Sequence, residues 1–264
     1  MTKKNSLGVV IIAGNEEAMI KDCLLSCQWV DLIVLVAANS SDNTVKIAQD
    51  TIPKIKIIKT DDEYNKNFSK WRNIGFENID TDWILYIDSD ERITPQLKTE
   101  IINVISTKNN EQITYYVIPR ANHYLGHRVQ YGGSYPDYVK RLYKKNKFKG
   151  YKGYLHEEPV IEGRLGYLRL DLLHFTHRDL KSMLQKSIVW TDMEAQALFK
   201  TNHPPIVWWR FLRMMATKIY ERLIKQKIWK DGTVGWISLI FETFDTFLIY
   251  ARLWELQQMK IIKK

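Results

Sequence analysis

The chain has 264 residues, of which 45% are apolar and 26% are charged, and its formal net charge is +9. This length suits one sizeable α/β domain, alone or with an appendage, and the composition excludes a chain that is disordered throughout. The sequence begins without an apolar leader and cleavage site, and no uninterrupted apolar run reaches the roughly 20 residues that span a bilayer. Cys23 and Cys27 stand four positions apart and are the only two cysteines. We therefore expect reduced core residues in a cytoplasmic protein.

Strand and helix patterns alternate along the first third of the chain. Near-continuous β-branched runs predict strands buried on both faces, and the stretches between them have helical spacing. The predicted strands cover 7–13, 32–37, 55–59 and 83–87, and the predicted helices cover 18–27, 44–50 and 68–78. This alternation indicates an α/β fold with an open, mostly parallel sheet and helices on both faces.

The fourth predicted strand ends in two carboxylates, Asp88 and Asp90, with Ser89 between them. Side chains two apart on an extended segment point to the same side, so both acids can reach one point. Mg²⁺ and Mn²⁺ favour one or two carboxylates together with phosphate oxygens. The pair therefore predicts a site for a metal-bound nucleoside diphosphate. The alternative is a turn whose acids cap the helix predicted to begin near Pro95.

Three polar segments follow predicted strands at the same edge of the sheet. Asn15 follows the first strand, residues 39–42 follow the second, and the acidic pair follows the fourth. Ligands of open α/β sheets bind beyond the carboxyl ends of the strands. We therefore expect these segments to converge on one crevice, which favours a functional site over a simple turn.

The pattern changes after residue 113. Predicted strands at 115–119, 138–143 and 165–174 are separated by loops rich in Gly, Pro and Lys, and a predicted helix covers 178–200. The run His203-Pro204-Pro205 then indicates a boundary. The predicted organisation is a catalytic domain at 1–203, with halves at 1–113 and 114–203, followed by a C-terminal aromatic helical region at 204–264.

The C-terminal region is both basic and aromatic. Residues 201–264 hold eleven Lys and Arg against five Asp and Glu, and eleven of the 32 aromatic residues. Cations interleaved with aromatic rings suit anionic lipid headgroups. Glu242 and Asp245 interrupt the second amphipathic stretch, which favours peripheral contact over a spanning helix. Packing against the catalytic domain and self-association into a homo-oligomer are the alternatives. Nucleic acid is not an expected partner, since no zinc finger or RNP-type motif is present.

An ordered set of motifs carries a family resemblance from about residue 7 to residue 258. The motifs are VVIIAGNEE, NSSDNT, SKWRN, DWILYIDSDERI, YPDYVKRLYK, LHEEP and KIWKDGTVGW. With these motifs the chain resembles the family 2 glycosyltransferases of GT-A fold, among them bacterial enzymes that add glucose to the inner core of lipopolysaccharide. The resemblance implies an inverting transfer from a UDP-sugar, with UDP-glucose expected, to a lipopolysaccharide-core or other lipid-linked acceptor. It also implies dependence on Mg²⁺ or Mn²⁺ and work at the inner face of the cytoplasmic membrane.

The resemblance assigns roles to individual residues. Asp88 and Asp90 match the pair that holds the metal and the donor diphosphate, with Asp90 as the direct metal ligand. Glu16 matches a position that contacts the uridine, and Arg72 matches a basic residue near the donor. Glu157 stands where inverting relatives carry the catalytic base.

Several other residues are candidates for the same chemistry. For the base, the rivals of Glu157 are Asp137, Glu158 and Glu91. The other candidates are histidines and arginines: His156 to orient Glu157 or contact a phosphate, His174 to complete the metal shell, and Arg141 with Arg120 to grip an anionic acceptor or the diphosphate. For each of these the alternative is a structural role, as a turn, a core hydrogen bond or an ion-paired surface.

One departure from the family pattern affects the nucleotide site. Relatives commonly carry Asp after the second strand, where this chain has Ala37 and Ala38. Either Asn39 or Asp42 substitutes for that residue, or the base specificity is altered. A catalytically inactive sugar-nucleotide or glycan-binding protein is therefore the alternative function. A nucleotidyltransferase is disfavoured, because the loop after the first strand lacks a Gly-rich, basic motif.

Overall fold

The protein forms two compact units in a computed structural model that describes residues 5–60, 67–107, 112–153 and 157–262. The first unit comprises Met1–Arg120 and Tyr138–His174, and the second comprises Ala121–Asp137 and Phe175–Lys264. The predicted boundary after residue 203 falls inside the second unit. The functional domain limits of 1–203 and 204–264 therefore stay a prediction.

Within the described residues the regular elements alternate as the sequence indicates. The helices are α1 (Ile20–Cys27), α2 (Thr44–Thr51), α3 (Phe68–Glu77), α4 (Pro95–Ser106), α5 (Leu180–Lys200), α6 (Trp208–Ile219) and α7 (Gly232–Ile262). The strands are β1 (Leu7–Ala13), β2 (Leu32–Ala38), β3 (Lys56–Thr60), β4 (Trp83–Asp88), β5 (Glu91–Ile93), β6 (Ile113–Tyr124), β7 (His127–Arg128), β8 (Asp137–Lys144), β9 (Phe148–Lys152), β10 (Glu158–Ile161), β11 (Arg164–Tyr167) and β12 (Leu172–His177).

The main sheet has the strand order β3-β2-β1-β4-β8-β6-β12-β5. Strands β1 to β4 are parallel to one another, whereas β4 pairs with β8 and β12 pairs with β5 in antiparallel orientation. Every residue of β1 is buried, as expected for a central strand covered on both faces. The predicted α/β fold with a mostly parallel sheet is thereby confirmed.

The strand register aligns the carboxyl ends of the central strands. Ile12 of β1 pairs with Asp88 of β4, and Ala13 pairs with Ala37 of β2. Helix α3 lies close against this part of the sheet, because a Cβ atom on Gly75 would stand 2.3 Å from Val10 Cγ1. The register and this close approach position the loops and the α3 side chains that form the candidate site.

The observed elements differ from the predicted ones in several places, since β7, β9 and β10 were not predicted. The predicted strand at 165–174 is two strands, β11 and β12, separated by residues 168–171. The short strand β5 was not predicted, because Glu91 and Arg92 read as the polar continuation of the acidic turn. Both side chains are in fact buried, and Glu91 is fully enclosed.

Both cysteines are free and buried in α1, as the sequence predicts.

The second unit contains α5, α6 and α7. Its core includes Ala195, Ile206 and Leu253, and the Phe211 ring of α6 lies 5.8 Å from the Phe247 ring of α7. A π-helical segment at Tyr220–Lys225 and a 3-10 helix at Ile228–Asp231 connect α6 to α7.

One helical stretch of the second unit, Ile228–Met259, is long and apolar enough to cross a membrane by length and composition, and 33% of its most apolar window is buried within the protein. This stretch contains no uninterrupted apolar run of that length, because Glu242 and Asp245 lie within it. Glu242 pairs with Arg222 at 2.6 Å, and Asp245 accepts a hydrogen bond from Ser187. Both acids therefore have polar partners inside the second unit.

Candidate active site

Asp88 lies at the carboxyl end of β4 between two arginines. Arg72 Nη2, from α3, donates to Asp88 Oδ1 at 3.1 Å, and Arg141 Nη2, from β8, donates to Asp88 Oδ2. The Asp88 backbone N–H donates to Glu91 Oε2 at 2.9 Å. Burial acts to raise the pKa of Asp88, but the two arginines outweigh burial and hold that pKa well below its usual range. Asp88 is therefore an ionised residue whose carboxylate is fixed in place.

Glu91 anchors the inner side of this cluster. Its fully buried carboxylate accepts from Arg141 Nη2 at 2.6 Å and lies 3.5 Å from Arg120 Nη1. A carboxylate enclosed in this way has no surface on which to meet an acceptor hydroxyl. Glu91 is therefore a structural partner of Arg141, and its candidacy as catalytic base is not supported.

Arg72 links the acidic strand end to Glu157. Its Nε donates to Glu157 Oε1 at 3.0 Å, and its guanidinium lies 5.7 Å and 5.3 Å from the rings of Tyr86 and Tyr151. Burial acts to lower the pKa of Arg72, but Asp88, Tyr151 and Glu157 together outweigh burial and raise that pKa above its ordinary value. The Nη1 atom of Arg72 is buried and has no hydrogen-bond partner among the described residues.

Apart from Glu91 and Tyr86, these side chains line a cleft of about 390 Å³ in the first unit. The cleft brings together basic, acidic and aromatic groups. Its lining comprises Arg72, Asp88, Arg120, Tyr138, Val139, Lys140, Arg141, Tyr151, Glu157, Glu158 and Pro159. The structure therefore places six of the predicted site residues and rivals, from five separate parts of the chain, around one concave surface.

Asp90 and His174 form a second pair beside this cluster. Strand β12 pairs with β5 so that His174 is opposite Glu91, and His174 Nε2 lies 3.6 Å from Asp90 Oδ1. Two ligand atoms that each stand about 2.0–2.2 Å from one divalent ion can be this far apart, so the pair fits a metal. The described residues contain no cluster of three or more metal-ligating side chains. The other ligands would then be phosphate oxygens, the usual arrangement for Mg²⁺.

The loops after β1 and β2 are tied together by side-chain hydrogen bonds. Asn15 Oδ1 accepts from the Ser41 N–H at 2.8 Å, and the Asp42 carboxylate accepts from the N–H groups of Glu17 and Thr44 at 3.0 and 2.9 Å. Burial acts to raise the pKa of Asp42, but the hydrogen bonds from Thr44 and Glu17 outweigh it and lower that pKa. Asp42 therefore organises these loops with both of its oxygens.

The other residues that the sequence predicts to bind the nucleotide lie at the same strand ends. The Glu16 N–H donates to Thr44 Oγ1 at 2.8 Å, and Asn39 adopts a left-handed conformation with φ of 53°. Ala37 and Ala38 are buried at the end of β2. Asn39 and Asp42 both stay candidates for the role of the Asp that relatives carry.

Two further predicted residues are Asp137 and His156. Asp137 belongs to the second unit, where its Oδ2 accepts from Asn122 Nδ2 at 3.2 Å. His156 lies outside the described residues.

The lowered pKa of Asp42 predicts a pH dependence of stability. A carboxylate whose pKa is depressed on folding contributes stability that is present above its unfolded pKa, and this stability is lost as the pH falls through the folded value. For Asp42 the pH range of this loss begins near 3.8, the ordinary pKa of an aspartate, and extends below it. We expect the free energy of unfolding of Asp42→Asn to fall less steeply than that of the parent below about pH 4. Urea titrations at stepped pH measure this slope, with the exposed Asp50→Asn as control, and equal slopes for Asp42→Asn and the parent would contradict it.

Comparison with known families assigns the chain. The sequence profile of glycosyl transferase family 2 matches residues 8–174, more than half of the chain and all of the strands that meet at the acidic cluster. The chain belongs to glycosyl transferase family 2. The resemblance inferred from the sequence motifs is thereby confirmed.

Individual relatives match this family 2 glycosyltransferase over nearly its whole length. A lipopolysaccharide core biosynthesis glycosyltransferase, LpsC of Rhizobium meliloti, is 24% identical across 98% of this chain and 96% of its own. An uncharacterised glycosyltransferase of Rickettsia typhi is 25% identical across 95% of this chain and 87% of its own.

A solved structure supports the fold. The mannosyltransferase PcManGT from Pyrobaculum calidifontis, solved in complex with GDP-Man and Mn²⁺, superposes with a TM-score of 0.50 at 10% identity. The match covers 98% of this chain and 88% of that one. The predicted GT-A fold of the family 2 glycosyltransferase is confirmed.

Proposed function

We propose that this family 2 glycosyltransferase moves a sugar, with glucose expected, from a UDP-sugar to a lipopolysaccharide-core or other lipid-linked glycan, with inversion at the anomeric carbon. The match to LpsC carries the proposal, because it extends over 98% of this chain and 96% of a lipopolysaccharide-core enzyme. An acceptor of this kind places the enzyme at the inner face of the cytoplasmic membrane, as a peripheral protein.

The proposed reaction is a direct displacement. An acceptor hydroxyl oxygen forms a bond to the anomeric carbon as the bond from that carbon to the diphosphate oxygen breaks. The hydroxyl proton passes to a carboxylate, and the nucleoside diphosphate leaves with the bonding electrons. The protein must therefore supply a base at the acceptor and positive charge at the leaving group.

Glu157 is the proposed base. It lines the cleft, retains 21% side-chain exposure, and is oriented by the 3.0 Å hydrogen bond from Arg72 Nε. A carboxylate that is held in one orientation and still reaches the cleft can accept the proton of a bound hydroxyl. Asp137 and Glu158 remain the alternatives.

Asp90 and His174 are the proposed holders of Mg²⁺ or Mn²⁺. A metal at this pair would neutralise charge on the departing diphosphate as a Lewis acid. Asp88 would act beside them at the donor, with its carboxylate oriented by Arg72 and Arg141. Glu16 and Asn39 are the proposed contacts to the nucleoside.

Replacing Asp90 by alanine is expected to abolish sugar transfer. The change removes one of the two proposed protein ligands of the metal. Removal of one group that stabilises charge in the transition state lowers the rate on the order of 10²- to 10³-fold. Transfer of labelled sugar to an extracted glycolipid acceptor measures the effect. Asp80→Ala is the matched control, because Asp80 is a fully exposed carboxylate in an ion pair with Lys145. Full activity in Asp90→Ala would contradict the assignment.

Ala37 supports one alternative function. If no other residue replaces the Asp that relatives carry after the second strand, the chain is a binding protein for a sugar nucleotide or glycan and catalyses no transfer. In that case the parent protein itself should show no sugar transfer with any donor, and Asp90→Ala would have no activity to lose.

A further inference from the structure

Helix α6 presents an apolar stripe to solvent. No residue of α6 is buried, and Trp208, Leu212 and Ile219 are 76%, 63% and 39% exposed. At 100° per residue these three positions fall within 40° of one another around the helix axis, so they form one stripe. Large apolar side chains concentrated on one helix face indicate an interaction surface.

A neighbouring face of α6 is already occupied. Phe211, which lies about 60° around the helix from Trp208 on the side away from Leu212, packs against Phe247 of α7 with ring centroids 5.8 Å apart. Helix α6 therefore uses one face to join the second unit. The stripe of Trp208, Leu212 and Ile219 is left for contact with something outside the chain.

The segment that carries this stripe is strongly basic. Residues 208–230 contain seven Lys and Arg and one Glu, for a net charge of +6. Its exposed aromatic rings stand beside cations: Trp209 lies 5.4 Å from Arg210 and 6.0 Å from Arg213. Further along the segment, Lys225 lies 5.7 Å from the Tyr220 ring and Lys230 lies 5.8 Å from the Trp229 ring. Ring and cation therefore sit side by side along the whole segment.

We infer that residues 208–230, called here the α6 surface, dock on an anionic lipid bilayer. In the interfacial layer the apolar stripe would face the acyl chains, the aromatic rings would lie at headgroup depth, and the arginines and lysines would meet lipid phosphates. Each cation near an anionic surface adds binding free energy that salt screens. A second copy of this chain is a poorer partner, because two α6 surfaces would bring together two segments of net charge +6.

The inference deepens the proposed function, from which it takes only the expectation of a lipid-linked acceptor. The α6 surface contains none of the residues assigned to catalysis. Membrane docking and sugar transfer can therefore be tested separately.

Co-flotation of the full-length protein with vesicles tests the inference. The vesicles consist of phosphatidylcholine alone or of phosphatidylcholine with phosphatidylglycerol. We expect the protein to bind the anionic vesicles, and we expect added salt to weaken that binding. Leu212→Ser should weaken it about tenfold, because it removes one large apolar side chain from the stripe. Leu25→Ser is the matched control, since Leu25 is an exposed leucine of the first unit and should have no effect.

A second variant separates charge from apolar contact. The double change Arg210→Gln with Arg213→Gln should weaken binding to anionic vesicles by about tenfold or more and leave the weak binding to neutral vesicles unchanged. Nucleotide release without lipid should be the same in Leu212→Ser as in the parent, so a failure of docking is distinguishable from a failure of catalysis. Absence of binding to anionic vesicles would overturn the inference. So would a dimer in solution that Leu212→Ser dissociates, because the α6 surface would then join two copies.

Discussion

Replacing Glu157 by glutamine is expected to lower the rate of sugar transfer by about 10²- to 10⁴-fold, the usual contribution of a general base. Glutamine preserves the size of the side chain and can still accept the hydrogen bond from Arg72 Nε, but it cannot take the acceptor proton. Arg72 also keeps its 3.1 Å contact to Asp88. The fold and the donor site should therefore survive the change.

Transfer kinetics and calorimetric titration of UDP, run together, measure this result. The rate constant kcat should fall while the Kd for UDP stays within about twofold, because the base acts in the transition state and not in donor binding. Glu158→Gln is the matched control, since Glu158 is the neighbouring carboxylate of the same cleft. A large loss in Glu158→Gln with full activity in Glu157→Gln would move the base to Glu158. A similar result for Asp137→Asn would move it to Asp137.

Replacing Arg141 by methionine is expected to lower the free energy of unfolding by about 3–5 kcal/mol, the usual cost of removing one partner of a buried ion pair. Arg141 is 5% exposed and donates to both Asp88 and Glu91. Without it, the fully buried Glu91 carboxylate keeps the Asp88 backbone N–H, and its charged partner among the described residues is the more distant Arg120 at 3.5 Å. A buried carboxylate without close charge compensation destabilises the folded state.

Urea unfolding measures this effect, with Lys140→Met as the control. Lys140 precedes Arg141 on β8 and is exposed, so its replacement should change the free energy of unfolding by less than about 0.5 kcal/mol. Adding Glu91→Gln to Arg141→Met should recover part of the loss, because it removes the uncompensated charge. A loss below about 1 kcal/mol in Arg141→Met, or no recovery in the double variant, would show that the cluster does not depend on this pair.

The sequence was most informative where burial is complete on both faces. Strands β1 and β4 could be predicted because their residues form unbroken apolar runs, and the position of the acidic pair follows from the end of the second of these runs. The alternation of strands and helices then fixed the edge of the sheet at which Asn15, Asn39 and Asp88 would lie.

The partners of the acidic pair could not be predicted from local pattern. Arg72 and Arg141 reach Asp88 from positions 16 and 53 residues away, and only the packing of α3 and the pairing of β8 bring them there. Strand β5 could not be predicted for the same reason. Glu91 and Arg92 are buried by tertiary partners, and no apolar pattern in the sequence indicates their burial. His174 meets Asp90 only because β12 pairs with β5.

Nucleotide release from four donors tests the central claim most directly. The assay compares UDP-glucose, UDP-galactose, UDP-GlcNAc and GDP-mannose in Mn²⁺ and in EDTA, with and without an extracted glycolipid acceptor. We predict metal-dependent release from one UDP-sugar, stimulated by acceptor and lost in Asp90→Ala. Release from no donor under any condition, together with no metal-dependent binding of UDP by calorimetry, would contradict the account and favour a binding protein without catalytic activity.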